Sequence, residues 1–211
     1  MREALSYSFL CEVSPTAFSV GAIVFLPRSA TVPLFDVLSS VFAPVDREGL
    51  ILSHGYSRQI EGNTHAEANA IHNLLSYLAN LPDDTLANVK KTVGLAPDAS
   101  HEDVGKSIFS KSWIYTTLEP CSKRTSGLRD CTAEIIHWGL KRVYMVSRTC
   151  GTAINHKCAD TFEYTEPLQG VREPPDYVQC EGLRLLRDAG VEVVSVQGME
   201  EECLAAARRG L

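Results

Sequence analysis

Val20-Gly21-Ala22-Ile23-Val24-Phe25-Leu26, followed by Pro27, is the longest apolar run of the sequence. It is rich in β-branched residues and far too short to cross a bilayer, which is typical of a strand buried on both faces. Further segments with strand character follow at 50–54, 113–118, 142–146 and 191–196. The sequence therefore predicts a sheet that includes these five strands.

Helical patterns separate most of these strands. The best lies at 64–79, where apolar residues recur at i, i+3, i+4 and i+7 from Ile71. Shorter patterns at 132–138 and 178–189 are each followed by a glycine, the residue that most easily ends a helix, and 199–208 predicts a terminal helix. Single helices between strands favour parallel pairing with helices on both faces, so we expect a three-layer α/β/α sandwich. Antiparallel pairing of the first two strands stays open.

The chain has 211 residues, which predicts one domain over 1–211, with insertions near 80–110 and 147–175. Its formal net charge is −6, and no run of five Lys or Arg occurs, so a nucleic-acid partner is not expected. Seven cysteines, an odd number, and an N-terminus without a leader pattern indicate a reducing intracellular compartment. We expect a cytoplasmic location, with the nucleus left open, and no membrane partner.

Three residues have the pattern of a catalytic zinc site. His65-Ala66-Glu67 begins the best helix, and Pro120-Cys121 precedes Cys131, which begins another. One imidazole and two thiolates provide three zinc ligands and leave the fourth position for water, and helix N-termini favour the thiolates. Zinc lowers the pKa of that water towards about 7, and Glu67 could take its proton and deliver it to a ring nitrogen and a leaving amine.

This grouping resembles the zinc nucleobase deaminases, although their signature has two residues between the cysteines and this chain has nine. The longer spacing, with Gly62-Asn63-Thr64-His65-Ala66-Glu67 and the segment 116–127, resembles the pyrimidine deaminases of riboflavin biosynthesis. Within these, the chain is most similar to the fungal type, which acts on a reduced ribitylamino-pyrimidinone phosphate. The resemblance covers about residues 14–196.

The resemblance implies a cytidine-deaminase-like α/β/α sandwich around a five-stranded mixed sheet. It implies a zinc-dependent aminohydrolase that removes an exocyclic amine from a small phosphorylated pyrimidine, and a homodimer. By position, it also implies that His65, Cys121 and Cys131 are the Zn²⁺ ligands and that Glu67 is the proton shuttle. Asn63 would contact the ring, and Lys123 and Arg124 would contact the phosphate. Bacterial relatives carry Asn-Pro where this chain has Ala17-Phe18, so a ring-contacting amide is absent there or supplied elsewhere.

Two other functions stay open. A deaminase of nucleosides, nucleotides or tRNA would use the same chemistry, although the acidic charge counts against tRNA and the cysteine spacing against the cytidine enzymes. A catalytically silent binding module is the other alternative, but it would not need Glu67. Fungal relatives carry an additional pseudouridine-synthase-like region that 211 residues cannot accommodate, so we expect either a standalone enzyme or an excised domain.

The remaining cysteines have no assigned chemistry. Cys11, Cys180 and Cys203 lie in helical patterns and are expected to be small buried apolar residues. Cys150 and Cys158, with one histidine between them, lack a fourth ligand for a second metal site.

Overall fold

A computed structural model describes residues 1–29, 32–42, 44–45, 48–124, 127–146 and 181–211. The second predicted insertion, 147–175, lies outside the described residues, as do Cys150, Cys158 and Cys180. Along the described residues the elements are α1 (Arg2–Ser8), β1 (Gly21–Pro27), α2 (Val32–Leu38), β2 (Pro44–Val45), β3 (Gly49–Tyr56), α3 (Ala66–Ala79), α4 (Asp83–Thr92), α5 (His101–Phe109), β4 (Trp113–Thr116), α6 (Cys131–Trp138), β5 (Arg142–Met145), α7 (Gly182–Asp188), β6 (Glu192–Ser195) and α8 (Glu200–Ala207).

The strands form one mixed sheet in the order β2-β3-β1-β4-β5-β6. Neighbouring strands are antiparallel from β2 to β4 and parallel from β4 to β6. The five predicted strands are all present, and the first two pair antiparallel. The two-residue β2 adds one edge strand. The mixed sheet expected from the sequence is therefore confirmed, with β4 as the strand at which the pairing changes direction.

Two glycines demonstrate that helices cover both faces of the sheet. Gly21 precedes Ala22 on β1, and Ala22 pairs with Gly55, so Gly21 and Gly55 face opposite sides. A Cβ on Gly21 would lie 2.0 Å from the carbonyl oxygen of Ala4 in α1. One on Gly55 would lie 2.2 Å from the carbonyl oxygen of Ala66 in α3. The predicted three-layer sandwich is therefore confirmed, with backbones packed closely on each side.

The main core lies between the sheet and α3. The apolar stripe predicted on this helix is buried and packs in one cluster with β1; its members include Ile71, Leu74, Leu78, Ala22, Val24 and Leu26. A smaller cluster joins α1 and α8 on the other face and contains Leu5, Val146, Cys203 and Ala206. Among the described residues the longest helix, α3, has 14 residues, and none is long and apolar enough to span a bilayer.

The stretch 80–110, predicted as an insertion without a helical pattern of its own, is largely helical. It contains α4 and α5, and α5 begins at a capping box between Ser100 and Asp103, each side chain accepting a hydrogen bond from the other's backbone N–H. Val104, Ile108 and Phe109 are buried, so α5 packs against α3. This stretch therefore belongs to the helical layer, and its status as an insertion stays a prediction.

The two described cysteines outside the predicted zinc site, Cys11 and Cys203, are both buried. Cys203 lies in α8 as expected. Cys11 is not helical, because α1 ends at Ser8; its sulfur instead contacts the carbonyl oxygen of Val20 at 3.5 Å.

Candidate active site and metal centre

The three predicted zinc ligands meet at one point although they come from distant parts of the chain. His65 is the N-cap of α3, Cys131 is the first residue of α6, and Cys121 lies in the loop after β4. Nδ1 of His65 lies 3.3 Å from Sγ of Cys121 and 3.4 Å from Sγ of Cys131. All three ligand atoms lie within 4.8 Å of one another. The fold therefore brings one imidazole and two sulfurs into a single cluster.

The N-terminus of α6 holds Cys121 in place. Asp130 caps this helix by accepting a hydrogen bond from the Ala133 amide at 2.8 Å. The Cys131 amide donates to Sγ of Cys121 at 3.4 Å, and the Thr132 amide donates to the Cys121 carbonyl at 3.1 Å. The Cys131 amide and the positive end of the helix thus point at the Cys121 sulfur, an arrangement that favours its thiolate form.

The thiols of Cys121 and Cys131 have opposite pKa shifts. A hydrogen bond from Cys131 lowers the pKa of Cys121 to about 4, with the His65 ring lowering it further. The same hydrogen bond, together with burial, raises the pKa of Cys131 above its ordinary value. The Cys121 sulfur is therefore a ready thiolate, while the Cys131 thiol would release its proton when a metal binds.

Glu67 lies beside the cluster without joining it. It is in the first turn of α3 and only 3% exposed. Its Oε1 accepts a hydrogen bond from Oγ1 of Thr116 at 3.1 Å, and its Oε2 accepts one from Sγ of Cys131 at 3.4 Å. Burial, and then the charge of Cys121, raises the pKa of the Glu67 carboxyl above its ordinary value. The group is thus suited to holding and releasing a proton.

The donor set fits zinc. Imidazole nitrogen and thiolate sulfur are typical zinc ligands, and three of them leave one position open, as in catalytic sites. No further His, Cys, Asp or Glu joins the cluster among the described residues. His54 of β3 lies outside this group, and its ring stacks on that of Tyr7 with ring centroids 4.0 Å apart.

A cavity of about 190 Å³ lies against this centre and is lined in part by His65, Glu67 and Cys121. The other described lining residues are Thr16, Ala17, Phe18, Val20, Ser57, Arg58, Asn63, Thr64, Ala66, Leu118 and Glu119. A small molecule in this cavity would therefore contact the carboxylate and the cluster at the same time.

The three predicted substrate residues differ in their position relative to the cavity. Asn63 lines the cavity, but Lys123 and Arg124 are not among the described lining residues. Lys123 is exposed, and the Arg124 guanidinium donates to the carbonyl oxygens of Asn63 and, at 3.5 Å, of Arg129. Arg124 thus fixes the backbone of Asn63, while a phosphate contact by either cation stays a prediction.

Arg58 is a site residue that sequence reasoning did not find. It lines the cavity and has a φ of 63°, which is unusual for a residue other than glycine. Its guanidinium donates to the carbonyl oxygens of Phe18, at 3.1 Å, and Glu12, and to Oγ of Ser19 at 3.4 Å. It therefore ties the 12–19 segment to the end of β3. These partners lie 39 to 46 positions away and are mostly backbone carbonyls. Because a backbone carbonyl belongs to every residue type, no sequence motif could have indicated the contacts.

The sequence profile of the cytidine and deoxycytidylate deaminase zinc-binding region matches residues 40–147, just over half of the chain. The chain belongs to this family. The matched range contains His65, Glu67, Cys121 and Cys131, so the whole candidate metal centre of this deaminase-family chain lies within the region that the profile describes.

A curated relative supports the narrower resemblance. The chain is 28% identical over 210 residues to the diaminohydroxyphosphoribosylamino-pyrimidine deaminase of Schizosaccharomyces pombe. The match covers all of the chain and 34% of that relative, so the chain spans about a third of its length.

Solved structures agree with the fold. The Rib2 deaminase of Aspergillus oryzae, as a C-terminal deletion mutant, is 25% identical with a TM-score of 0.58, and the match covers 99% of this chain and 89% of that one. Its complex with DARIPP is 24% identical with a TM-score of 0.57, covering 99% and 88%. A Thermotoga maritima deaminase/reductase is 19% identical with a TM-score of 0.52, covering 98% and 38%. The predicted fold and the resemblance to riboflavin-biosynthesis deaminases are confirmed.

Proposed function

We propose that this chain is a zinc-dependent aminohydrolase that acts on a pyrimidine. In this reaction water adds to the ring carbon that carries the exocyclic amine, the carbon–nitrogen bond breaks, and the products are a ring carbonyl and ammonia. The observation that carries the proposal is the buried carboxylate of Glu67 beside the His65, Cys121 and Cys131 ligand atoms, at the wall of a cavity. The family membership supports it.

His65, Cys121 and Cys131 would hold the metal. Zinc bound there would supply Lewis acidity and make water a nucleophile near neutral pH. The helix ends that carry His65 and Cys131 fix the ligand positions, since both residues begin helices packed on the sheet.

Glu67 would move the protons of the reaction. Its carboxylate takes one proton from the attacking water and delivers it to a ring nitrogen. It then takes the remaining proton of the added hydroxyl and delivers it to the departing amine, which leaves as ammonia while the ring carbonyl forms. Its burial favours the protonated form, so the side chain can hold the proton between the two transfers. Phe18 and Leu118 add apolar surface to the cavity wall.

We propose a phosphorylated ribitylaminopyrimidine of riboflavin biosynthesis as the substrate. The name of the S. pombe relative and the DARIPP complex of the A. oryzae enzyme support this choice. The cavity is small, as a single ring requires, and Asn63 in its wall can contact ring atoms. Lys123 and Arg124, on the loop after Cys121, would meet the phosphate outside the cavity. We further propose a homodimer in the cytoplasm, on the same resemblance and on the reduced cysteines expected there.

A nucleotide deaminase is the second candidate, because the description of the matching family names cytidine and deoxycytidylate deaminases. An ammonia-release assay of the purified chain with diaminopyrimidine intermediates, cytidine, deoxycytidylate and a tRNA distinguishes the two. We expect release from a phosphorylated diaminopyrimidine. Ammonia release from deoxycytidylate alone would make deoxycytidylate the substrate instead. If none of these compounds released ammonia, the proposal that this chain is a deaminase would be wrong.

The same assay tests the role of Glu67. In Glu67→Gln we expect zinc to stay bound while turnover falls by about 10²- to 10⁴-fold, since the proton shuttle is lost. Glu61→Gln is the matched control, because Glu61 is an exposed carboxylate of the preceding loop. Near-normal ammonia release by Glu67→Gln would remove this residue from the mechanism.

A further inference from the structure

The hydroxyl of Thr116 contacts the oxygen of Glu67 that faces away from Cys131. Oγ1 of Thr116 donates to Oε1 at 3.1 Å, while Oε2 lies 3.4 Å from the Cys131 sulfur. We infer that Thr116 is a positioning residue that fixes the Glu67 carboxylate so that Oε2 is the oxygen that exchanges protons. This inference rests on the proposed function of Glu67.

Thr116 is itself held rigidly. It is the last residue of β4 and fully buried, and it pairs with Ala22 on one side and Met145 on the other. Its β-branched side chain has few rotamers, so the hydroxyl has a fixed position relative to the sheet. A threonine hydroxyl has one proton to donate, and here Glu67 receives it. The sheet therefore determines where Oε1 lies.

The Glu67 side chain cannot provide this precision alone. The terminal torsion of a glutamate is broad, and its two oxygens are chemically equivalent until one of them is bound. Because Thr116 is fully buried and valine has nearly the same shape, a water molecule would have no room to replace the lost hydroxyl at Oε1. Without Thr116 the carboxylate plane would rotate, and Oε2 would lose its alignment with the ligand cluster. A misplacement of about 1 Å can cost about 100-fold in rate.

Three variants test the inference kinetically. Thr116→Val keeps the shape but removes the hydroxyl, Thr116→Ser keeps the hydroxyl, and Thr117→Val is the matched control. Thr117 is equally buried, but its Oγ1 accepts a hydrogen bond from the Gly21 amide at 3.1 Å instead of binding Glu67. We expect Thr116→Val to lower kcat about 10- to 100-fold with KM and zinc content unchanged. Thr116→Ser should restore most of kcat, and Thr117→Val should lower only the melting temperature.

A double-mutant cycle tests the contact without any assay of activity. The changes in melting temperature caused by Thr116→Val and Glu67→Ala should not add up to the change in the double variant. A control cycle with Thr117→Val and Glu67→Ala should be additive. Additive effects for Thr116 and Glu67, or a kcat for Thr116→Val within twofold of the parent enzyme, would overturn the inference. If the parent enzyme releases no ammonia, the proposed function fails, and the cycle still decides whether Thr116 holds Glu67.

Discussion

Gly182 faces the carbonyl oxygen of Pro120 so closely that a Cβ added to it would lie 2.1 Å from that oxygen. Pro120 directly precedes Cys121, and two further contacts join the same parts. The Leu183 amide donates to the Glu119 carboxylate at 3.1 Å, and the Glu181 amide donates to Oγ of Ser122 at 2.9 Å. The start of α7 therefore supports the loop that carries a metal ligand.

Gly182→Ala should consequently destabilise both the fold and the metal centre. The added methyl group meets backbone, which cannot move aside, so we expect the free energy of unfolding to fall by about 1–3 kcal/mol and zinc to dissociate more readily. Chemical denaturation and zinc titration measure the two effects. Gly105→Ala is the control, because there the new methyl would meet side chains and not backbone: the flexible end of Leu75 at 2.8 Å and the ring of Trp138 at 3.3 Å. Equal stability of Gly182→Ala and the parent chain would contradict this packing.

Cys121→Ala should abolish zinc binding, because only two protein ligands would remain. Metal analysis after purification is expected to find far less than one zinc per chain. Cys203→Ala is the matched control: Cys203 is also buried, but it lies in α8, in the small core cluster with Leu5 and Val146. Full zinc content in Cys121→Ala would mean that the ligand set is wrong.

Lys123→Ala tests the proposed phosphate contact. A hydrogen bond to a charged group is worth about 1.5–3 kcal/mol, so KM for the phosphorylated substrate should rise about tenfold or more. KM for the dephosphorylated analogue should change little. Lys91→Ala, which removes an exposed lysine from the end of α4, should alter neither value. An equal rise for both substrates in Lys123→Ala would exclude the phosphate role.

His54 provides a prediction of pH dependence. Burial lowers its pKa below the ordinary value of 6.5, and its ring stacks on Tyr7. The unfolded chain therefore binds this proton more tightly than the folded chain. Its contribution to the free energy of unfolding is fully present above pH 6.5 and is lost as the pH falls below that value. NMR titration should detect the low pKa, and Tyr7→Ala should raise it towards 6.5 by exposing the ring. An unchanged pKa in Tyr7→Ala would assign the shift to other neighbours.

Periodicity predicted the parts of the fold that are amphipathic or wholly apolar. The five strands and α3 were found because one face or both faces of each must be apolar to be buried. The helix α5 was not found, because its buried residues Val104, Ile108 and Phe109 are few and lie within a polar stretch between Pro97 and Ser110. Its start signal, the Ser100 and Asp103 capping box, is local and was available in the sequence.

The candidate site was predictable where chemistry restricts the residue type. His65, Cys121 and Cys131 can be identified because few side chains bind zinc, and Glu67 because of its spacing from His65. Thr116 and Arg58 could not be found in this way. Their roles depend on hydrogen bonds to partners that become neighbours only in the folded chain, at separations of 39 to 49 positions.

The metal ligands also come from well-separated positions: His65 and Cys131 are 66 residues apart. A metal bound to both would recognise the folded chain and not the unfolded one, so its affinity would add to the stability of the whole domain. At a free zinc concentration of 100 times the dissociation constant, the gain is about 2.7 kcal/mol. We therefore expect the zinc supply to determine the cellular lifetime of this protein as well as its catalytic rate, because proteases act on the fraction of chains that is transiently unfolded.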